Sequence, residues 1–244
     1  MIIVRYSEIG LKGKNRRDFE KQLQLNIRHC LKKNKIPFEQ VARKRGRILI
    51  ITKEKVPQLQ YIFGVSSYSY VQEFIQDFDE IKKAALTFYK KGTFRVKVQR
   101  SDKVLMNSPE LAAEIGAYIV EKTNAPVDLH NPEAIIHIEL VNERAYIYSE
   151  KIPGLGGLPL GSTGRVVLIL ENKDSINAAI KVMKRGCRVD VLKKKDIDYS
   201  ELEKYAYGYT IKEAEAVEDY IAVVVSDTID TIKEYPYFVL RPLV

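Results

Sequence analysis

The sequence predicts an α/β protein with an α+β first half and a small parallel-sheet second half, and three observations carry that prediction. Short β-branched runs alternate with stretches of helical period along the 244 residues. Cations crowd the start: the first fifty positions hold 14 Lys/Arg against 4 Asp/Glu. Between Ile152 and Ser175 the chain places Gly154, Gly156, Gly157, Gly161 and Gly164 with Pro153 and Pro159, more breakers than a helix or central strand absorbs. Behind this joint come an apolar run, Arg165–Leu170, a polar turn, and a helical pattern from Asp174-Ser175 to Lys184-Arg-Gly186. Strand, turn and helix in that order suit a phosphate-type loop.

Length and composition bound the rest. The chain is too long for one small module and short for two average domains, which predicts two or three compact units. No apolar run reaches the roughly 18 residues that span a bilayer, and Met1–Arg5 runs straight into a strand, so the expected location is cytoplasmic, without a membrane partner. Cys30 and Cys187 stand far apart without a second thiol, which leaves no disulfide framework or cysteine zinc site and predicts two buried small hydrophobes. The formal charge is +8, but the first fifty residues alone carry +10 and the remainder −2. A localised excess of this kind is the footprint of a polyanion, here nucleic acid.

Taken in order, residues 2–6 read as a strand and Gly10-Leu-Lys-Gly-Lys14 as a basic glycine loop. Asn15 is the expected cap of a helix whose stripe is Phe19, Leu23, Ile27 and Leu31, with Arg16, Arg17, Lys21, Arg28 and Lys32 outside it and His29 solvated. Ile36–Ala42 and Arg47–Thr52 form a hairpin around Arg43-Lys-Arg-Gly46, with Gly46 at positive φ. A short helix over Glu54–Phe63, entered through Pro57, and a strand over Val65–Phe74 complete βαββαβ, the order of a ferredoxin-like unit. A second unit opens at Asp77 with a helix marked by Ile81, Ala84, Ala85, Phe88 and Tyr89. Thr93–Arg100 then alternates strictly, Phe94, Val96 and Val98 on one face and Arg95, Lys97 and Gln99 on the other.

Ser108 is the expected cap of the next helix, with Pro109 at its first position and Leu111, Ile115, Tyr118 and Ile119 buried. Strands Ile135–Val141 and Ala145–Ser149 follow, joined by Asn142-Glu-Arg144; His137, within the first, reads as structural, not as a metal ligand. After the joint, strand 165–170, helix 175–185, strand Cys187–Leu192, a helical stretch over Ser200–Tyr220 broken at Gly208, and strands Ile221–Val225 and Tyr237–Leu240 imply a parallel sheet with its chemistry at the strands' carboxyl ends.

Several segments together resemble the tRNA 4-thiouridine synthetases, the ThiI family: Val4–Arg17, Phe63-Gly-Val-Ser-Ser-Tyr68, Phe94–Arg100, Gly156-Gly-Leu-Pro-Leu-Gly161, Met183-Lys-Arg-Gly186 and Leu240-Arg-Pro-Leu243. The resemblance implies a ferredoxin-like domain over residues 1–75, a THUMP domain over 76–153, the joint at 154–164 and a shortened PP-loop domain over 165–244. It implies that the first two hold the acceptor end of tRNA and that the third adenylates a uridine with ATP before a persulfide sulfur replaces its oxygen. The expected RNA-binding residues are Arg5, Lys12, Lys14, Arg16, Arg17, Arg43, Lys44, Arg45, Arg47, Arg95, Lys97 and Arg100. Leu168, Ile169, Leu170, Glu171, Asn172, Lys173, Asp174 and Ser175 occupy the nucleotide loop; no metal ligand is expected, and no catalytic residue is identified.

That loop departs from the family's S-G-G-x-D-S. Aligned on Asp174 and Ser175 it reads Leu170-Glu-Asn-Lys-Asp-Ser175, without the first serine and both glycines. Glu171 would stand against phosphate oxygens, where two like charges about 4 Å apart repel by roughly 1 kcal/mol even in bulk water. Asp174 and Ser175 can equally serve as a first-turn acid and helix cap. Val225-Ser-Asp-Thr228 stands where the family has a T-G-E loop, a βα unit is missing between Lys195 and Ile221, and the transfer thiol has no counterpart. The expectation is a tRNA-binding relative with a defective nucleotide loop and no certain cofactor. The alternatives are an active ATP-dependent (with Mg) tRNA thiolase, served by a sulfur-donor protein and linked to thiamine thiazole synthesis, and a small-molecule enzyme of sulfur metabolism. A homodimer is left open.

Overall fold

The computed structural model describes residues 1–100 and 107–244. In chain order the regular elements are β1 (Ile2–Arg5), α1 (Arg16–Lys33), β2 (Gln40–Lys44), β3 (Arg47–Ile51), β4 (Ser67–Tyr70), β5 (Gln72–Ile75), α2 (Phe78–Phe88), β6 (Phe94–Arg100), α3 (Ser108–Thr123), β7 (Ala134–Val141) and β8 (Arg144–Tyr148). They continue with β9 (Ile152–Pro153), β10 (Gly164–Leu170), α4 (Asp174–Lys184), β11 (Cys187–Lys193), β12 (Val223–Val224) and β13 (Val239–Leu240). The strands form three sheets ordered β2-β3-β1-β4-β9, β5-β8-β7-β6 and β11-β10-β12-β13, which is the mixed α/β class read from the sequence. By packing the chain divides into two units, residues 1–4, 42–53 and 68–152 in one, and 5–41, 54–67 and 153–244 in the other.

In the first unit, β6 and β7 run parallel and β7 turns back into β8 through Asn142 and Glu143, both left-handed (φ 48° and 61°) as a tight hairpin turn demands. Helices α2 and α3 bury Ile81, Ala85, Leu111, Ile115 and Ile119 on Phe94, Ile136, Ile138 and Ile147. β1 pairs antiparallel with β3, and a second core gathers Ile3, Leu49, Val71, Val141, Tyr146 and Tyr148. Two expectations are corrected here. The single strand Val65–Phe74 is two, β4 and β5, which enter different sheets on either side of buried Val71, whose N–H bonds the Met1 carbonyl. The cap of α3 is Asn107, extended and accepting the Glu110 N–H at 2.9 Å, so Ser108 is already helical.

In the second unit, α1 buries Leu23, Ile27, Cys30 and Leu31, with Phe19 half-buried. Asn15 precedes it without capping it, because Gly13–Asn15 is itself a 3-10 turn and Asn15 already has helical torsions. The expected helix at Glu54–Phe63 shrinks to a 3-10 turn over Pro57–Tyr61. The third sheet is wholly parallel: Val167 faces Asp190 on one side and Val223 on the other, and Val223 faces Val239. Its core places Leu168, Leu170 and Val189 against Ala178, Ala179, Val182 and Met183 of α4.

The helix expected over Ser200–Tyr220 is only a 3-10 turn, Ser200–Lys204. The backbone beyond it lies along β11 instead: Val191 N–H bonds the Lys212 carbonyl, Ala214 N–H bonds the Val191 carbonyl, and buried Asp190 accepts the Lys212 N–H at 2.9 Å. The glycine-rich joint is ordered, with Leu158 and Leu160 each 2% exposed. Its Leu158 N–H bonds the Lys184 carbonyl (2.9 Å) and Gly161 N–H the Gly186 carbonyl (2.7 Å). A Cβ on Gly157 would come within 2.3 Å of that Lys184 oxygen, so glycine is required.

Candidate functional site

In the parallel sheet β10 is followed in chain order by β11 on one side and by β12 on the other, so the crevice at the carboxyl ends of β10 and β12 is a topological switch point, where open α/β sheets take ligands. Glu171, Asn172 and Lys173 leave β10 there, after buried Leu168, Ile169 and Leu170. The converging loop amides, Glu171 N–H and Asn172 N–H, both point at Ser175 Oγ (3.3 Å each). Asn172 Oδ1 in turn accepts the Ser175 N–H at 3.0 Å and its hydroxyl at 3.2 Å. Asn172 therefore caps α4, while fully buried Ser175 plugs the turn, a correction to the expected pairing of Asp174 and Ser175 as acid and cap. Asp174 and Lys173 are exposed.

Across the crevice stand residues that the sequence reading did not single out. Asp227, 3% exposed, follows β12 and accepts from the Tyr235 hydroxyl (2.9 Å), Arg241 Nε (3.2 Å) and the Lys233 N–H (3.3 Å). Burial alone would raise its carboxyl, but those three donors outweigh burial and hold it below the ordinary aspartate value. Tyr235 is pushed up to about 12 by burial and by its bond to Asp227. Ser226 Oγ receives a long bond from Ser175 Oγ, 3.4 Å. Glu171 lies 4.0 Å from Lys233 Nζ. An aspartate closing an apolar run, Val223-Val-Val-Ser-Asp227, was the available signal in the sequence.

The expected RNA-binding cations do not share one fate. Lys14 and Arg17 are exposed in the second unit, and Lys12 lies 5.1 Å over the Phe19 ring. Arg16 is tied to Glu20 (2.7 Å) and to the Tyr6 hydroxyl, which burial and Glu20 push up to about 12. Arg5 is 4% exposed inside β1, so its place among surface contacts is corrected. In the first unit Arg43, Lys44, Arg45, Lys97 and Arg100 are exposed, and Arg95 is half-buried, its Nη1 donating to the Leu129 carbonyl at 2.9 Å. Arg47 is engaged internally with Glu139 at 2.7 Å.

Beside Arg95 a groove of about 720 Å³ runs between β6 and α3, floored by Ala112, Ala113, Gly116 and Ala117 and flanked by exposed Val127 and Leu129. Small residues on one face of α3 were its signal in the sequence, and the reading passed over them.

Three isolated residues complete the survey. His29, expected to be solvated, meets Tyr207 edge-on (6.5 Å), and burial followed by the Lys33 charge lowers its pKa. Burial raises Cys30 to about 11, while Cys187 is half-buried. His137 stacks on Tyr148 at 4.8 Å. Among the described residues no three His, Cys, Asp or Glu side chains group as a metal site, and no helix is long and apolar enough to cross a membrane.

Comparison with known proteins gives two family matches: the ThiI ferredoxin-like domain over residues 1–69 and the THUMP domain over 76–150. Among curated relatives, a probable tRNA sulfurtransferase of Thermococcus kodakarensis is 37% identical over 232 residues, 85% of this chain and 61% of the relative. One of Moorella thermoacetica is 39% identical over 201 residues, covering 78% and 51%. The chain thus spans between half and about three fifths of the length of these relatives. Among solved structures, PH1313 from Pyrococcus horikoshii superposes with a TM-score of 0.88 at 30% identity, over 100% of this chain and 94% of that one. A 4-thiouridine synthetase in complex with RNA and bound ATP gives 0.64 at 34% identity, over 79% and 52%.

Proposed function

This chain belongs to the ThiI family of tRNA 4-thiouridine synthetases, and on that premise we propose that it is a tRNA-binding member whose nucleotide loop does not take ATP. In this reading residues 1–75 and 76–153 hold RNA, and residues 165–244, reached through the joint at 154–164, are a nucleotide domain reduced to a scaffold. One observation carries the proposal. A pyrophosphate needs bare, converging N–H groups at a helix start, and here the Glu171 and Asn172 N–H groups meet Ser175 Oγ while Asn172 takes the Ser175 N–H. Glu171 adds a carboxylate at the same place, so the residues present do not fit the ATP that a relative binds, and no adenylation step is assigned to them.

The RNA side of the proposal is supported by the exposed cations Lys12, Lys14, Arg17, Arg43, Lys44, Arg45, Lys97 and Arg100, whose contacts to phosphate would be independent of base sequence. Calorimetric titration of ATP with Mg into the protein, with and without tRNA, tests the reading: tRNA should bind and ATP should give no heat. Micromolar ATP binding would put the active thiolase first. That second reading is favoured by the intact switch point and by Asp174 and Ser175 standing in register, and it would require a sulfur-donor protein.

A further inference from the structure

We infer that Arg47 and Glu139 are positioning residues that hold the cationic hairpin turn Arg43–Gly46 in shape for RNA, and that Arg47 is not itself a phosphate contact. The inference rests on the RNA reading above and assigns a role within its first unit. Arg47 opens β3 directly after the turn, and its guanidinium bonds in two directions: Nη1 donates to the Gly46 carbonyl and Nε to Glu139 Oε2, both at 2.7 Å. Glu139, on β7, is 1% exposed, and its Oε1 accepts the Tyr148 hydroxyl at 2.7 Å. Tyr148, on β8, is fixed by its stacking on His137 at an interplanar angle of 5°.

Turn carbonyl, guanidinium, buried carboxylate and buried tyrosine therefore form one chain of bonds from the hairpin to the strands beneath it. A guanidinium fork suits this role because its donors have fixed angles, which an ammonium lacks. Turning Arg47 toward a phosphate would break an ion pair around a carboxylate that is enclosed on every side, a costly exchange. Lys44 stays exposed on the same hairpin, with Arg43 and Arg45.

The two roles of Arg47 give opposite signs in one experiment. Anisotropy titration of a labelled tRNA transcript over a KCl series would compare the parent chain with E139Q, R47K and K44Q. If Arg47 positions the turn, E139Q weakens binding about three- to tenfold with the salt slope unchanged, R47K does the same despite keeping its charge, and K44Q lowers the slope by roughly 0.7 to 0.9. If Arg47 contacts phosphate, E139Q frees a cation and binding stays equal or tightens, and R47K keeps most of the affinity; either result overturns the inference. Should E139Q fail to fold, R47K carries the same comparison.

Amide exchange without RNA separates this inference from the RNA reading itself. Residues 43–46 should exchange faster in E139Q and R47K, and unchanged exchange sinks the clamp even if tRNA binds. Absence of salt-dependent tRNA binding by the parent chain would instead sink the RNA reading and leave the clamp to the exchange result.

Discussion

The hairpin turn at Arg43–Gly46 and the loop at Leu170–Ser175 are both short polar connections after a strand, yet they dispose of their polar groups in opposite ways. At the hairpin the turn is held from below by Arg47 and Glu139, and the cations Arg43, Lys44 and Arg45 are left facing solvent. At the loop the backbone donors are consumed by the loop's own side chains, Ser175 Oγ and Asn172 Oδ1. The difference teaches that residue type alone does not make an anion site. What matters is whether a donor or charge is already spoken for, since a satisfied N–H must lose a bond before it can gain one.

Breaking the open side should have the largest effect. Replacing Lys14, Arg16 and Arg17 with alanine is expected to weaken tRNA binding by roughly 10- to 100-fold across tRNA sequences. The salt slope should fall by about two contacts' worth, near 1.4 to 1.8, rather than three, because Arg16 is committed to Glu20 and Tyr6. Filter binding over a salt series checks this, and an unchanged affinity and slope would remove the segment from the interface. Opening the closed side comes next. Leu170→Ser, Glu171→Gly and Asn172→Gly together should raise ATP affinity at least about tenfold in calorimetry, about 1.4 kcal/mol, by freeing the loop amides and removing the carboxylate. Turnover need not follow, since Asp227 and its partners remain as they are.

How much of this contrast could be read from the sequence depends on the range of the interaction. Strand alternation at Phe94–Arg100, the turn glycine Gly46 and the strand–turn–helix order at 165–184 are local patterns, and all three stand in the structure. The exposed cations were legible because charge on a hairpin tip needs no partner. Arg5 and Arg47 misled because their burial is decided by strands distant in sequence; Glu139 lies 92 residues from Arg47. The helix expected over Ser200–Tyr220 failed for a similar reason, as Asp190 and β11 supply bonds that helical periodicity cannot foresee. The missing glycines of the loop pointed to a defect, but the plug at Ser175 is a three-dimensional fact.

The wall of the closed side should show itself in pH dependence. Asp227 is held below its ordinary value, so its folded pKa lies under its unfolded one, about 3.9. A depressed carboxylate contributes stability that is fully present above the unfolded value and is lost as pH falls through the folded one. Asp227→Ala should cost about 3 kcal/mol at neutral pH, because Arg241 loses its buried partner. The variant's thermal midpoint should then fall less than the parent's between pH 6 and pH 3. Parallel curves for the two proteins would mean that Asp227 carries none of the acid sensitivity.

The smallest effect sharpens the comparison at the hairpin itself. Gly46 sits at φ 73°, a conformation that an L-residue adopts only at a cost, and its carbonyl is the oxygen that Arg47 Nη1 grips. Gly46→Ala should therefore cost about 1 kcal/mol, a shift of a few degrees in melting temperature, through torsional strain. Gly10 provides the control: it lies in the other basic loop, outside the positive-φ set, and a Cβ there would meet nothing within 4 Å. Gly10→Ala should be neutral or stabilise by about 0.5 kcal/mol through the unfolded chain. The tRNA titration adds the functional reading. Gly46→Ala should weaken binding modestly with an unchanged salt slope, the signature of a displaced turn whose cations all remain. A lowered slope would mean that the substitution had taken a phosphate contact with it, and the turn would then be an extended contact surface and not a held platform.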